Sequence, residues 1–258
     1  MFTSTEAYER FMGRWSRKLA EKLVDFSEIA PGCRVLDLGC GLGSVSEAIL
    51  DGVKDTSVVG IDPSTEYVGH ARRRLAGRPA AFHEGDGQGI QQADESFDAA
   101  LSMLVLNFVP EPLKAVQEMA RVTRPGGIIA AAVWDYQGRM EMLRVFWDAA
   151  VSIDPGITNA DERHQRLCSQ HDLGKLFMQA GLENVQSSAL EIEMVFESFE
   201  DYWLPFLGGQ GPAGALVASL SAEKRNELQK ALRLRLDTGD SFKMTARAWA
   251  AKAKRAEH

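Results

Sequence analysis

Apolar residues recur every four positions in the first stretch of the chain. Phe11, Trp15, Leu19 and Leu23 form one stripe among charged neighbours. That spacing predicts an amphipathic helix over 5–25, and Pro31-Gly32 breaks it. The pattern then changes period. Short apolar runs at 33–38, 57–61, 80–83, 97–102 and 128–134 alternate with helical patterns at 44–50, 64–76 and 112–123. Pro112 takes a favoured first-turn position, and Pro125-Gly126-Gly127 turns the chain into the fifth strand. Val58-Val59-Gly60-Ile61 is apolar throughout, as a strand covered on both faces must be. Strands and helices alternating at this spacing predict βαβ units and a parallel sheet.

The second half is less regular. Residues 140–151 read as a helix, followed by a turn at Asp154-Pro155-Gly156. Ser169 is placed to cap a helix running to Ala180, with Gly181 as its C-terminal cap. Residues 185–196 alternate like a strand. Helical stretches follow at 199–206 and 222–236, separated by a glycine-rich connector at 208–214 that is expected to be flexible. Residues 242–252 read as a last strand. The whole chain, 1–258, is expected to be a single domain. In it 1–30 would be an N-terminal helical cover, 33–134 the core, and 139–168 and 198–238 insertions capping the sheet's active edge.

Composition narrows the picture. A chain of 258 residues, 45% of them hydrophobic, is long enough to bury a full core. No apolar run reaches the roughly 20 residues that cross a bilayer. The polar first ten residues lack the apolar centre of a secretory signal, which predicts a cytoplasmic protein. Cys33, Cys40 and Cys168 are an odd set without metal-type spacing, and read as reduced, small apolar residues. The formal charge of −7 disfavours a bulk nucleic-acid binder.

The candidate chemistry lies at the strand ends, where an open parallel sheet binds its ligands. Gly39-Cys40-Gly41-Leu42-Gly43 follows the first strand and opens a helix. A tight strand–helix turn alone could require these glycines. Asp62 adds an acid just past the second strand, at about the ~20-residue distance of a ribose-binding carboxylate. A helix-capping role competes for it. Asp86, between Gly85 and Gly87 past the third strand, could accept from an adenine amine; a turn aspartate is the rival. A nicotinamide-binding fingerprint would carry a third glycine where Ser44 stands, and Asp37 would lie close to the pyrophosphate. An acid there suits a ligand bearing an ammonium group.

Val35-Leu36-Asp37-Leu38-Gly39-Cys40-Gly41-Leu42-Gly43 resembles the first motif of class I S-adenosylmethionine-dependent methyltransferases. Asp62-Pro63-Ser64 resembles their second, acidic motif and Gly85-Asp86-Gly87 their third. Arg121-Val122-Thr123-Arg124-Pro125-Gly126-Gly127 resembles the turn before strand five in the ubiquinone/menaquinone-biosynthesis-like subgroup (methyltransferase type 11). The resemblance covers roughly 33–134. It implies a Rossmann-like α/β fold: a seven-stranded, mostly parallel sheet with helices on both faces, helical capping insertions and an antiparallel last strand. It implies S-adenosyl-L-methionine as cofactor and S-adenosyl-L-homocysteine as product. Gly39, Cys40 and Gly41 would pass the methionine part, Asp62 with Pro63 the ribose, Asp86 with Gly87 the adenine, and Met103 the sulfur side. Similar enzymes close an N-terminal segment over the cofactor, which makes Tyr8 and Arg14 candidates, the latter for the methionine carboxylate. The solvated face of a helix is the rival reading of Arg14.

The acceptor is less legible. His70, His83, His164 and His171 are possible bases, and none is singled out, so the catalytic group is left open. Asn107 stands where many relatives of the subgroup carry His. The motifs of adenine N-methylation and cytosine C-methylation are absent after strand four, as is the acid of a magnesium-assisted enzyme, so no metal is expected. Trp134, Tyr136, Met140, Met142, Phe146, Trp147, Tyr202, Trp203 and Phe206 either line a pocket or pack inserted helices. The reading is methyl transfer to a small, partly apolar acceptor, with no membrane, nucleic acid disfavoured, and monomer or homodimer left open. A cofactor-binding protein without turnover, a tRNA or protein methyltransferase and a nicotinamide oxidoreductase are the alternatives.

Overall fold

The structure, a computed structural model, describes residues 5–236 and 241–257. Residues 1–4 of the expected N-terminal cover and 237–238 of the second expected insertion lie outside the described residues. Seven strands form one sheet: β1 Arg34–Leu38, β2 Ser57–Asp62, β3 Ala80–Glu84, β4 Phe97–Met103, β5 Thr123–Trp134, β6 Glu183–Phe196 and β7 Phe242–Lys254. Their order is β3-β2-β1-β4-β5-β7-β6. β1 pairs in parallel with both β2 and β4, β2 with β3 and β4 with β5; β7 runs antiparallel to β5. The strand order therefore reverses at β1, with β2 on one side and β4 on the other. A ligand crevice is expected beyond the carboxyl ends of these two neighbours.

The described chain falls into two compact units. The first comprises 16–134, 166–190 and 248–257; the second comprises 5–15, 135–165, 191–236 and 241–247. In the first unit β1, β2 and β4 are buried on both faces, as their apolar runs require, whereas the edge strand β3 buries Phe82 alone. Val35, Leu36, Ala99, Ala100, Leu101 and Ile129 through Val133 are all buried. Helices Ser44–Gly52, Thr65–Arg74, Pro112–Val122 and Asp172–Gln179 belong to it.

The Arg121–Gly127 segment has a structural explanation. Arg121 donates to the carbonyls of Ile90 (2.8 Å) and Gln92 (3.0 Å) and pairs with Glu118 (2.7 Å) and Asp94 (2.5 Å). Glu118 accepts the Ile90 amide as well (2.8 Å). One guanidinium thus ties the 90–94 loop to the helix before β5. The glycines after it do not precede the strand as expected but lie within it. Pairing with β4 jumps from Phe97↔Thr123 to Ala99↔Ile128, so 124–127 bulge out. The bulge is satisfied from the other side: the Gly126 amide donates to Arg255 O (3.0 Å) and the Arg255 amide to Gly127 O (3.0 Å). Gly126 at φ +71 takes the left-handed turn this needs.

The second unit is held by an aromatic core. Phe146 stacks on Phe206 at 4.6 Å, Phe11 meets Phe206 edge-on at 5.2 Å, and Trp15 packs on Phe196 at 5.3 Å. The Tyr202 hydroxyl donates to Met142 O at 2.9 Å. The large apolar residues considered above as pocket lining are all buried, so packing accounts for them.

The N-terminal stripe is buried as predicted, but the helix is interrupted. Thr5–Tyr8 is α-helical, Glu9–Gly13 is a π turn, and Arg14–Ser27 resumes the α-helix. The 208–214 connector is not loose: Gly211–Ser219 is a helix with Pro212 in its first turn. Ser169 does not cap its helix with its side chain. His171 is the N-cap residue, and the Asp172 carboxylate reaches back to the Ser169 amide (3.1 Å). Cys33, Cys40 and Cys168 form no disulfide.

Candidate functional site

The first unit brings the glycine loop, Asp37 and Asp62 together at the switch in strand order. The loop is fastened to the end of β2: the Gly39 and Cys40 amides both donate to Ile61 O, at 2.7 and 3.0 Å. Gly39 has φ +71, and a Cβ there would lie 2.2 Å from Val105 Cγ2, so only glycine fits. The same contact shows what sequence reasoning missed: the turn after β4 packs directly on the glycine loop. Leu104, just past β4, holds φ +62, a conformation rare for a branched residue and one associated with functional sites.

Asp62 is buried and accepts two amides, Gly41 through Oδ2 (2.9 Å) and Ser64 through Oδ1 (2.9 Å). Ser64, not Asp62, caps the following helix, its hydroxyl accepting the Tyr67 amide at 3.3 Å. A carboxylate has about four lone-pair sites, so Asp62 retains one on each oxygen. Burial raises its pKa, and the two amide bonds oppose that. Pro63 joins Asp62 to the capping serine.

Asp37 is buried at 1% exposure at the end of β1. Its Oδ2 accepts the amide and the hydroxyl of Ser46, at 3.0 and 2.6 Å. Its Oδ1 has no hydrogen-bond partner. Burial pushes its pKa up to about 7. Ser46 was not singled out by the sequence; only its place in the turn that opens helix Ser44–Gly52 could have suggested it. Cys40 is buried and its thiol is raised well above its ordinary pKa by burial, so it is an inert packing group.

The remaining candidates are less concentrated. Asp86 is exposed, and its carboxylate accepts the Gln88 amide at 2.9 Å, the turn geometry that rivals an adenine contact. A Cβ on Gly87 would press on Leu38 at 3.3 Å. Met103 is buried at the end of β4. Tyr8 and Arg14 fall in the second unit. Arg14 pairs there with Asp201 (2.9 Å), its guanidinium 4.2 Å from the Trp15 ring. A ligand carboxylate would have to exchange with Asp201. Among the described residues no cluster of three or more His, Cys, Asp or Glu side chains could hold a metal, and no helix is long and apolar enough to cross a membrane.

Residues 36–131 match the family model described as a methyltransferase domain. The ubiquinone biosynthesis O-methyltransferase of Rhizobium etli (strain CIAT 652) is 31% identical over 154 residues, covering 59% of this chain and 60% of that protein. The demethylmenaquinone methyltransferase of Renibacterium salmoninarum is 36% identical over 147 residues, covering 57% of this chain and 58% of that one. The chain thus spans about 60% of the length of the first of these relatives. In fold it is similar to the Haemonchus contortus phosphoethanolamine N-methyltransferase 2 solved with S-adenosyl-L-methionine. The TM-score is 0.59 at 16% identity, over 98% of this chain and 56% of that one. The sheet order and the antiparallel β7 are those of the Rossmann-like methyltransferase fold.

Proposed function

We propose that this chain, built around a methyltransferase domain at 36–131, transfers a methyl group from S-adenosyl-L-methionine to a small, partly apolar organic acceptor. The observation that carries the reading is the pair of buried carboxylates flanking the glycine loop. Each is fixed by the loop or by the helix it opens, and each retains acceptor capacity. The residues fit the cofactor's chemistry. Asp62 would accept the ribose hydroxyls. The unpartnered Asp37 Oδ1 suits an ammonium. Gly39 lets backbone come close where any side chain would strike Val105. Gly41, Cys40 and Pro63 shape the same crevice, Asp86 and Gly87 border its adenine end, and Met103 closes the β4 side.

When bound, the cofactor supplies an electrophilic methyl group on a sulfonium. The protein's part is alignment of donor and acceptor, which can provide much of the acceleration of such a displacement. The buried, apolar ends of β1 and β4 exclude water, which favours a step in which charge disperses. The relative named as a ubiquinone biosynthesis O-methyltransferase supports an oxygen acceptor. Calorimetric titration with S-adenosylmethionine and S-adenosylhomocysteine tests the reading. The wild type should bind both saturably. Asp62→Ala should lose at least ~100-fold in affinity, as about two charge-assisted hydrogen bonds are removed. Folded wild type that binds neither ligand would sink the proposal.

A further inference from the structure

The helix that opens after the glycine loop has no cap of its own. Its N-cap residue, Gly43, carries no side chain to receive the first amides. Asp37 reaches across from the end of β1 and accepts the Ser46 amide at 3.0 Å. That bond alone meets the capping need. Ser46 adds a second, from its hydroxyl at 2.6 Å, to the same oxygen, Oδ2. Both side chains are buried, away from competing solvent. Two donors thus converge on one carboxylate oxygen, and Oδ1 is left without a partner. The charge at this point is set by few groups. Burial and the like charge of Asp62 push the Asp37 carboxyl up to about 7, against the two Ser46 bonds that favour its charged form. The neighbouring Cys40 thiol is raised and stays neutral. The strand neighbours of Asp37, Gly60 and Leu101, carry no charge. Among the described residues no Lys or Arg contributes to the balance.

Resting on the methyltransferase reading and deepening it, we propose that Ser46 is a positioning residue for the cofactor. Its hydroxyl and amide fasten Oδ2 of Asp37, so that Oδ1 is the oxygen left for the ligand and the group meets an ammonium as a carboxylate. In the empty site a proton on Asp37 belongs on Oδ1, because Oδ2 already receives two hydrogens. That proton and the ligand's ammonium compete for one oxygen. The Ser46 hydroxyl biases the competition toward the ligand, since a donor to the charged form of an acid makes its proton easier to lose. The amide bond serves the helix; the hydroxyl serves the charge.

The test is calorimetric titration of the full chain with S-adenosylhomocysteine between about pH 6 and 9, for wild type and for Ser46→Ala. The variant deletes the hydroxyl and keeps the amide. The ratio of the two dissociation constants cancels the ligand's own ionisation. Without the hydroxyl, Asp37 should hold its proton to higher pH. Ser46→Ala should therefore bind about tenfold or more weaker at the acid end, the worth of a hydrogen bond to a charged group. The ratio should then fall severalfold toward the alkaline end, as the variant's carboxyl ionises in turn. Near the middle of the range, buffers of differing ionisation enthalpy should show Ser46→Ala expelling more protons on binding than wild type. A merely structural serine would weaken binding by one factor at every pH, or not at all, and would leave the proton count unchanged. Either result, or a Ser46→Ala chain that does not fold, overturns the proposal and leaves the methyltransferase reading standing. Wild type that binds S-adenosylhomocysteine at no pH fails that reading, and this inference with it.

Discussion

Gly39 concentrates the residue-scale argument, because two separate costs meet at one position. Its φ of +71 penalises any side chain, and a Cβ would overlap Val105 at 2.2 Å. The steric cost can be relieved by trimming Val105; the backbone cost, roughly 1–2 kcal/mol for an L-residue in the left-handed region, cannot. Gly39→Ala should therefore weaken S-adenosylhomocysteine binding by at least ~30-fold, and Gly39→Ala with Val105→Ala should recover part of that but remain about tenfold weak. Calorimetric titration of the three proteins checks this, and full recovery in the double variant would show that the backbone conformation costs nothing. Asp37 and Asp62 were legible as individual residues because their motif spacing fixes their place at the strand ends. The groups that complete them were not. Ser46 and Val105 have ordinary sequence surroundings, and their roles come from contacts made only in the fold, Ser46 with Asp37 and Val105 with Gly39.

Among the elements, the strands and most helices follow directly from apolar periodicity, and Ala222–Leu236 and β7 begin where the pattern places them. The departures have local causes that a pattern does not encode. The Pro-Gly-Gly stretch reads as a turn, but Arg255 supplies the backbone partners that keep it within β5. The 208–214 stretch reads as a connector, but apolar neighbours draw Gly211 and Gly214 into helix Gly211–Ser219. Arg121 shows the same principle with a measurable consequence. It resembles part of a motif, yet its guanidinium bonds to the 90–94 loop and to Glu118, and hydrogen bonding with it holds Glu118 below the usual carboxylate range. Arg121→Met keeps the stem and removes the fork. It should lower stability by about 2 kcal/mol, a charge-assisted hydrogen-bond cluster discounted for partial exposure, while leaving S-adenosylhomocysteine affinity unchanged. Thermal denaturation and calorimetry on the same variant separate the two effects; a loss of affinity at full stability would move Arg121 into the binding machinery.

At the scale of the whole molecule, each unit buries an acid away from water. Asp37 in the first unit and Glu162 in the second are both pushed up to about 7 by burial, the latter despite a hydrogen bond from Trp147 at 3.2 Å. In the unfolded chain these groups release their protons near the ordinary values of 3.8 and 4.5. The folded chain therefore holds more protons than the unfolded chain between about pH 4 and 7. The stabilisation is fully present below that window and is lost as pH rises through it, by up to ~1.4 kcal/mol per pH unit for each group. Melting temperature should accordingly fall from pH 5 to pH 8, and Asp37→Asn and Glu162→Gln should each flatten the fall in the unit that carries them. The cofactor reverses the sign for Asp37 alone. An ammonium beside Oδ1 favours the carboxylate, so binding S-adenosylhomocysteine near pH 6.5 should expel a proton and tighten as pH rises to 8. Titrations in buffers of differing ionisation enthalpy would register that proton. In Asp37→Asn it should vanish, and in Glu162→Gln it should persist, because only the first acid faces the ligand in this reading. Proton release that survives Asp37→Asn would place the ammonium elsewhere.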